Sequence, residues 1–269
     1  MIKETANFIK ENLKLKNPQI AVILGSGLGG FSNVLENSIS ISYLSIPNFP
    51  KSSVSGHKGE LIKGYIGDKE IICLNGRFHL YEGHNPSVIS DVIHILKELG
   101  IKQLIVTNAA GSLKLDMSPG SIMLIKDHIN FSGRNPLIGP NDESYGPRFP
   151  ALNNAYSKQM RAKCQKIAQN LGVELKEGVY FYVLGPNFET PAEIKAFGIL
   201  GGDAVGMSTV PEVISAAHCS IEVLGLSVIT NYGAGLVDNI PSHQETLKEA
   251  NSASKNLINL VATFIKEEG

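Results

Sequence analysis

Apolar and polar positions alternate in long blocks along the chain. The run Gln19-Ile20-Ala21-Val22-Ile23-Leu24 is apolar at every position after the first and stops at Gly25, which is the pattern of a short strand buried on both faces. An amphipathic segment from Ile2 precedes it and predicts an N-terminal helix. Residues 60–74 read as two strands joined at Gly67-Asp68, a dipeptide suited to a tight hairpin. A helix is expected over 86–99, with strands at 103–107 and 121–126. A second long helix is expected over 155–171, and a strand over 178–184. The later half then repeats strand and helix. No Pro/Gly/Ser-rich linker, charge block or fixed-period repeat divides the chain. The expectation is an α/β fold in a single domain, residues 1–269. Its central sheet is mixed, largely parallel and twisted, open at its edges and flanked by helices on both faces.

Three helix starts carry the spacing in which a hydroxyl and an acid three residues on satisfy each other's backbone donors. These are Thr190-x-x-Glu193, with Pro191 at the first helical position, Thr209-x-x-Glu212, and Ser242-x-x-Glu245. The first two follow strand ends directly. Ligands of α/β sheets sit outside the carboxyl ends of strands, where helix N-termini also present unpaired N–H groups. Glu189, Ser208 and Asn231 all fall at such ends.

The side chains gathered there are a lone carboxylate in Gly185-Pro186-Asn187-Phe188-Glu189-Thr190, a thioether beside hydroxyls in Gly206-Met207-Ser208-Thr209, and an amide in Ile229-Thr230-Asn231. Together they suit a small heteroaromatic ligand. A six-oxopurine offers an N1–H donor with O6 and N7 acceptors along one edge, so Glu189 can accept from N1–H and Asn231 can donate to O6 or N7. An adenine presents a lone pair at N1 and is disfavoured by a carboxylate there, a buried polar mismatch that discriminates strongly. Met207 and Phe188 can flank sugar and base, although core packing is the stronger reading of each taken alone.

Gly25-Ser26-Gly27-Leu28-Gly29-Gly30 satisfies G-x-G-x-x-G after a strand, which raises a nicotinamide-dependent dehydrogenase. Such a fold places an acid roughly 20 positions on to hold a ribose, and between Glu36 and Glu60 the chain has no Asp or Glu. The loop reads better as a cradle of N–H groups and the Ser26 hydroxyl around one phosphate, with a plain tight turn as the alternative. Arg77 adds a planar fork for phosphate oxygens, and His57 a further donor. His79, Glu82 and His84 lack the H-E-x-x-H spacing, so no metal and no cofactor are expected. His94, His128 and His218 read as structural or surface residues.

Composition narrows the partners. The chain has 269 residues, 43% hydrophobic and 18% charged, enough to bury a full core. A net charge of −1 supplies no field for a phosphodiester backbone, which argues against nucleic acid. Cys73, Cys164 and Cys219 are odd in number and without a C-x-x-C pair, the usage of a reducing compartment. No apolar leader or membrane-length run is present in the sequence given. A cytoplasmic protein is expected.

These motifs, with Asn108-Ala109-Ala110-Gly111, Ser132-Gly133-Arg134-Asn135-Pro136 and Arg148-Phe149-Pro150, occur collinearly from Gly25 to about Glu245. In that order the chain resembles the trimeric purine nucleoside phosphorylases, a branch that also holds methylthioadenosine phosphorylases. The resemblance implies phosphorolysis of inosine and guanosine or their deoxy forms in purine salvage, with inorganic phosphate as co-substrate. It implies phosphate contacts from Ser26, His57, Arg77, the Ala109 N–H and Ser208. Ribose contacts would come from Tyr81, Tyr180, Met207, His243 and, across a homotrimer interface, Phe149. Base contacts would come from Ala110, Gly111, Phe188, Glu189, Val205, Gly206 and Asn231, with Asn231, Glu189 and His79 as the catalytic set. A relative preferring xanthosine or another modified nucleoside, and a nucleoside-binding module without activity, are the alternatives.

Overall fold

The computed structural model describes residues 1–52, 57–238 and 243–268, excluding the side chains of residues 243–247, 251 and 252. In chain order its elements are α1 (Ile2–Asn12), β1 (Ile20–Ile23), β2 (Glu36–Ser42), β3 (Glu60–Ile66), β4 (Lys69–Asn75), α2 (Pro86–Glu98) and β5 (Gln103–Ser112). They are followed by β6 (Ile122–Asn130), α3 (Lys158–Asn170), β7 (Leu175–Tyr182), α4 (Pro191–Ile199), β8 (Ala204–Gly206), α5 (Val210–His218), β9 (Glu222–Tyr232) and α6 (His243–Glu267). The elements expected from the sequence are present, with ends that move by a few residues. β2 was not anticipated. Among the described residues it is an outer strand paired with β3. Ile39 and Ile41 alternate with serines, and Ile41 packs on the core, but the apolar stripe is only two residues long on an otherwise polar, exposed strand.

β1 explains its own sequence. It lies parallel between β4 and β5, and helices cover both faces, so all four of its residues are buried. One layer of core packs Ile9 of α1, Val92 and Ile93 of α2 and Val213 and Ile214 of α5 against the sheet. The opposite layer packs Met160 and Ile167 of α3 with Leu257, Leu260 and Phe264 of α6. Each such side chain contributes about 1.5 to 3 kcal/mol on leaving water.

The sheet is mixed, with parallel pairs at β1–β4, β1–β5, β5–β9, β6–β7 and β7–β8. It is not open. β5 pairs with β9 along one edge, while its other edge passes from β1 at Gln103–Val106 to β8 at Gly111–Ser112. The ring β5-β8-β7-β6-β9 therefore closes, and β4, β3 and β2 extend from it through β1 as a wing. The β5–β9 ladder also carries an irregularity. Ala110 faces Ile229 but Gly111 faces Asn231, which leaves Thr230 as an extra residue on β9.

The helix-start expectations divide. Thr190 accepts from the Glu193 N–H at 3.2 Å, and the Glu193 carboxylate accepts from the Thr190 N–H at 2.7 Å, as expected. At α5 the reading fails. Thr209 adopts φ +75° and ψ −50° without capping the helix, because a γ-turn bond from the Val210 N–H to the Ser208 carbonyl reverses the chain there. Its hydroxyl accepts instead from Asn108 Nδ2 at 2.8 Å. Ser242 and the Glu245 side chain lie outside the described residues.

Candidate active site

The ring opens at one end into a cavity of about 260 Å³, lined among others by Ser26, Arg77, Tyr81, Ala110, Glu189 and Asn231. Each reaches it from a different element. Ser26 follows β1. Gly25 is required there because a Cβ would stand 2.6 Å from the Asn108 Cα and 2.8 Å from the Thr107 carbonyl. A short 3-10 turn, Gly29–Val34, follows the loop instead of a long helix. That removes the helix N-terminus on which a dinucleotide pyrophosphate would rest.

Arg77, after β4, is 2% exposed. Its Nε donates to Glu212 Oε1 at 3.0 Å, and Nη1 donates to the Thr107 carbonyl at 2.8 Å and to Ser208 Oγ at 3.1 Å. Nη2 is buried and has no partner among the described residues. A buried donor left unpaired costs about 1 to 3 kcal/mol. Arg77 lines the cavity with Ser26 and Ser208, a donor set suited to an anionic oxygen. Glu212 fixes the plane of the guanidinium from behind, since it is not among the cavity's lining residues. Sequence reasoning assigned Glu212 to a cap. The available signal was an acid between Val210-Pro211 and Val213-Ile214, because a charge in an apolar stretch needs a partner.

His57 Nε2 stands 3.4 Å from Ser26 Oγ, at the edge of the same subsite. His79 stacks on Tyr81 with ring centroids 4.6 Å apart, and its Nδ1 lies 3.2 Å from Glu82 Oε1. Burial holds the His79 pKa below its usual value, only partly opposed by the Glu82 hydrogen bond. The neutral ring then donates from Nδ1 to Glu82 and keeps a lone pair on Nε2. Burial also raises the Tyr81 hydroxyl to about 12, so it remains a neutral phenol.

At the other end of the cavity, the Asn231 amide oxygen accepts from the Thr230 hydroxyl at 3.0 Å and Nδ2 donates to the Tyr232 carbonyl at 3.0 Å. One Nδ2 hydrogen remains for a ligand acceptor. Glu189, half-buried ahead of α4, has its pKa raised, chiefly by desolvation. Gly111 closes this end tightly. A Cβ there would lie 3.2 Å from Asn231 Nδ2 and 3.4 Å from Val205 Cγ1. Gly206, Met207 and Phe188 complete the wall, with Phe188 40% exposed at the rim.

The structure brings together His79 and all the expected base residues, with Ser26, Arg77, Ala109 and Ser208 of the phosphate set and Tyr81 and Met207 of the ribose set. Tyr180 is a correction. It is fully buried behind the wall and does not line the cavity. Its hydroxyl accepts from the Ser208 N–H at 3.4 Å, and Gly206 leaves the room for it. Phe149 is 87% exposed and is not among the residues that line the cavity. The side chain of His243 lies outside the described residues. Asn108, Thr230 and Pro186 also line the cavity and had not been singled out as contacts.

Residues 19–266 match the family model described as the phosphorylase superfamily. Purine nucleoside phosphorylase 1 of Geobacillus stearothermophilus is 45% identical over 98% of this chain and 96% of its own. Among solved structures, Schistosoma mansoni purine nucleoside phosphorylase in complex with inosine superposes with a TM-score of 0.94 at 37% identity, covering 100% of this chain and 96% of that one. The same enzyme in complex with adenosine gives 0.95 at 37% identity, covering 100% and 97%. No helix among the described residues is long and apolar enough to cross a membrane. The chain belongs to the phosphorylase superfamily, among its purine nucleoside phosphorylases.

Proposed function

We propose that the enzyme acts on 6-oxopurine nucleosides, releasing the free base and ribose 1-phosphate or its deoxy form in purine salvage. One observation carries the reading. A single cavity holds a carboxylate and an amide donor at one end, and a buried guanidinium with an unused N–H among serine hydroxyls at the other. A module that only bound neutral nucleosides would have no use for the second end.

In this reading phosphate rests on Ser26, His57, Arg77, Ala109 and Ser208 and attacks C1′ from the face opposite the base. The N-glycosidic bond breaks as the new C–O bond forms, giving inversion. Positive charge gathers on the ribosyl ring and negative charge moves onto the purine. The dianion serves as nucleophile and as electrostatic partner of that cation, so the protein supplies position and a preorganised field rather than a nucleophile of its own. Asn231 donates to N7 as it gains charge, Glu189 holds N1–H, and the neutral His79 beside Tyr81 orients the sugar. The Tyr180 hydroxyl holds the Ser208 backbone, a supporting role in place of direct ribose contact.

Adenosine in the Schistosoma enzyme means that occupancy does not measure specificity. Discrimination is expected in kcat/KM, where the Glu189 mismatch weighs on the transition state. We further propose a homotrimer in which the exposed Phe149 ring covers the neighbouring subunit's sugar site. The test of the reading is hypoxanthine release from inosine with and without inorganic phosphate, with adenosine beside it. Phosphate-dependent release and a much lower kcat/KM on adenosine are expected. Release without phosphate would make the protein a hydrolase, and equal action on adenosine would remove Glu189 from specificity.

A further inference from the structure

On the flank of the molecule, away from the cavity, α2 packs against α5 and the 141–146 segment crosses their ends. His94 from α2 meets His218, the last residue of α5, and Cys219, which follows it. One ligand atom from each lies within 4.8 Å of the others. Two buried imidazole nitrogens, His94 Nε2 and His218 Nδ1, have no hydrogen-bond partner among the described residues. His218 is 2% exposed and Cys219 1%, and the thiol is free.

Two unpaired nitrogens beside a thiol are costly if nothing engages them, at about 1 to 3 kcal/mol for each buried polar group. The remaining contacts have the form of ligand support. His218 Nε2 lies 3.0 Å from Asn141 Oδ1, which fixes that nitrogen as the N–H and leaves Nδ1 with its lone pair. Asn141 is itself anchored, its Nδ2 donating to the Gly146 carbonyl at 3.1 Å. The His94 ring is stacked on Tyr145 at 4.0 Å and 14°, and the Tyr145 hydroxyl donates to the Glu98 carboxylate at 3.0 Å.

We propose that His94, His218 and Cys219 form a binding site for a zinc ion, with the fourth position left to a water molecule or an added ligand. Two imidazoles and a thiolate are a borderline-soft donor set that suits zinc and excludes magnesium and calcium, which take oxygen ligands. With zinc-to-ligand distances of about 2.0 to 2.3 Å, tetrahedral donors stand roughly 3.5 Å apart. The three atoms therefore close by about 1 Å on binding, a displacement that side-chain rotation of His94 and Cys219 supplies. Zinc binding displaces the thiol proton, so affinity falls as pH is lowered. The ion ties α2 to the end of α5 and to the segment leading to Phe149. It takes no part in the chemistry of the cavity.

The experiment uses the full-length enzyme, stripped with a chelator and titrated with zinc against a chromophoric competitor, then with cobalt(II) under reducing conditions. Wild type is expected to hold about one ion per chain and to give a thiolate-to-cobalt charge-transfer band. His94→Gln and Cys219→Ser are expected to lose stoichiometric binding. Asn141→Ala, which leaves the ligands in place, is expected to weaken it by roughly 10- to 100-fold. Retained phosphorolysis by each variant confirms that it is folded. Absence of stoichiometric zinc in wild type, absence of the charge-transfer band, or zinc retained in full by His94→Gln/Cys219→Ser would each overturn the site.

Discussion

Replacing Glu212 by Gln removes a negative charge beside Arg77 but leaves an oxygen able to accept from Nε across the same 3.0 Å. The guanidinium, only 2% exposed, then carries a charge that no other carboxylate among the described residues balances at that distance. Removing one partner of a buried pair costs about 3 to 5 kcal/mol, and the retained hydrogen bond places Glu212→Gln near the lower value. For a chain of this size, about 3 kcal/mol lowers Tm by roughly 6 to 12 °C in phosphate-free buffer. Bound phosphate reverses the effect. The carboxylate does not line the cavity. For an anion on the far side of the guanidinium, taken at roughly 7 Å, an effective dielectric near 20 gives a repulsion of about 2 kcal/mol per unit of phosphate charge. Losing that repulsion tightens phosphate roughly 30-fold per unit of charge. Thermal melts with and without phosphate, together with calorimetric titration of phosphate, read both quantities. The variant should be less stable alone and gain more from phosphate than wild type. An unchanged melting temperature without phosphate, or weaker phosphate binding, would refute the charge-balance reasoning and leave Glu212 as a geometric brace only.

Asn231→Ala should lower kcat for inosine by about 100-fold and change KM much less, because its donor hydrogen bond strengthens as the base gains charge; steady-state kinetics that show KM alone rising would assign it to ground-state binding. Glu189 has its pKa raised above the ordinary 4.5 by desolvation. The folded protein therefore holds this proton more tightly than the unfolded chain, and stability falls as pH climbs from the unfolded value through the folded one. Activity runs the other way: the acid limb of kcat/KM for inosine should lie above 4.5 and vanish from the pH profile of Glu189→Gln. Thr190→Ala removes the reciprocal cap of α4 and should cost about 1 kcal/mol in denaturant unfolding. It should also loosen inosine binding, since Glu189 immediately precedes the cap. Phe149→Ala should raise KM for inosine without changing the melting temperature, as expected of an exposed ring serving a neighbour's site.

The sequence was most legible where a local pattern had one structural outcome. The apolar run of β1 could only be a strand covered on both faces, and Gly67-Asp68 could only turn a hairpin. Thr190, Pro191 and Glu193 together marked a helix start within a few residues. It was least legible where the outcome depended on partners distant in the chain. β2 offers two apolar residues on one face, Ile39, which stays exposed, and Ile41, which packs on the core, a stripe too short to stand out. β5 continues through Asn108-Ala109-Ala110-Gly111, a stretch too small and mixed to read as strand, because β8 and β9 supply its hydrogen bonds. Closure of the ring depends on that same pairing, which no window of residues contains. At Thr209 a familiar spacing misled: Asn108 and Arg77, both far away in sequence, claim the hydroxyl and the acid that a cap would use. Tyr180 is expected at the ribose only from the resemblance, and the absence of a side chain at Gly206 leaves room for its hydroxyl behind the wall instead.

The extra residue on β9 governs how this site tolerates change in length. Because Thr230 is supernumerary in the ladder, it and Asn231 both border the cavity, where a regular strand would send one of the two to the opposite face. Deleting Thr230 would restore regular pairing, and by any count of backbone hydrogen bonds the sheet would improve. It would also move the amide one position along the strand and remove the hydroxyl that sets its orientation. Substitutions around this point can be graded in effect, but a single-residue deletion acts as an all-or-none event for base recognition. The register of one strand pair thus separates a well-formed ring that can still hold phosphate from one that can also read a purine.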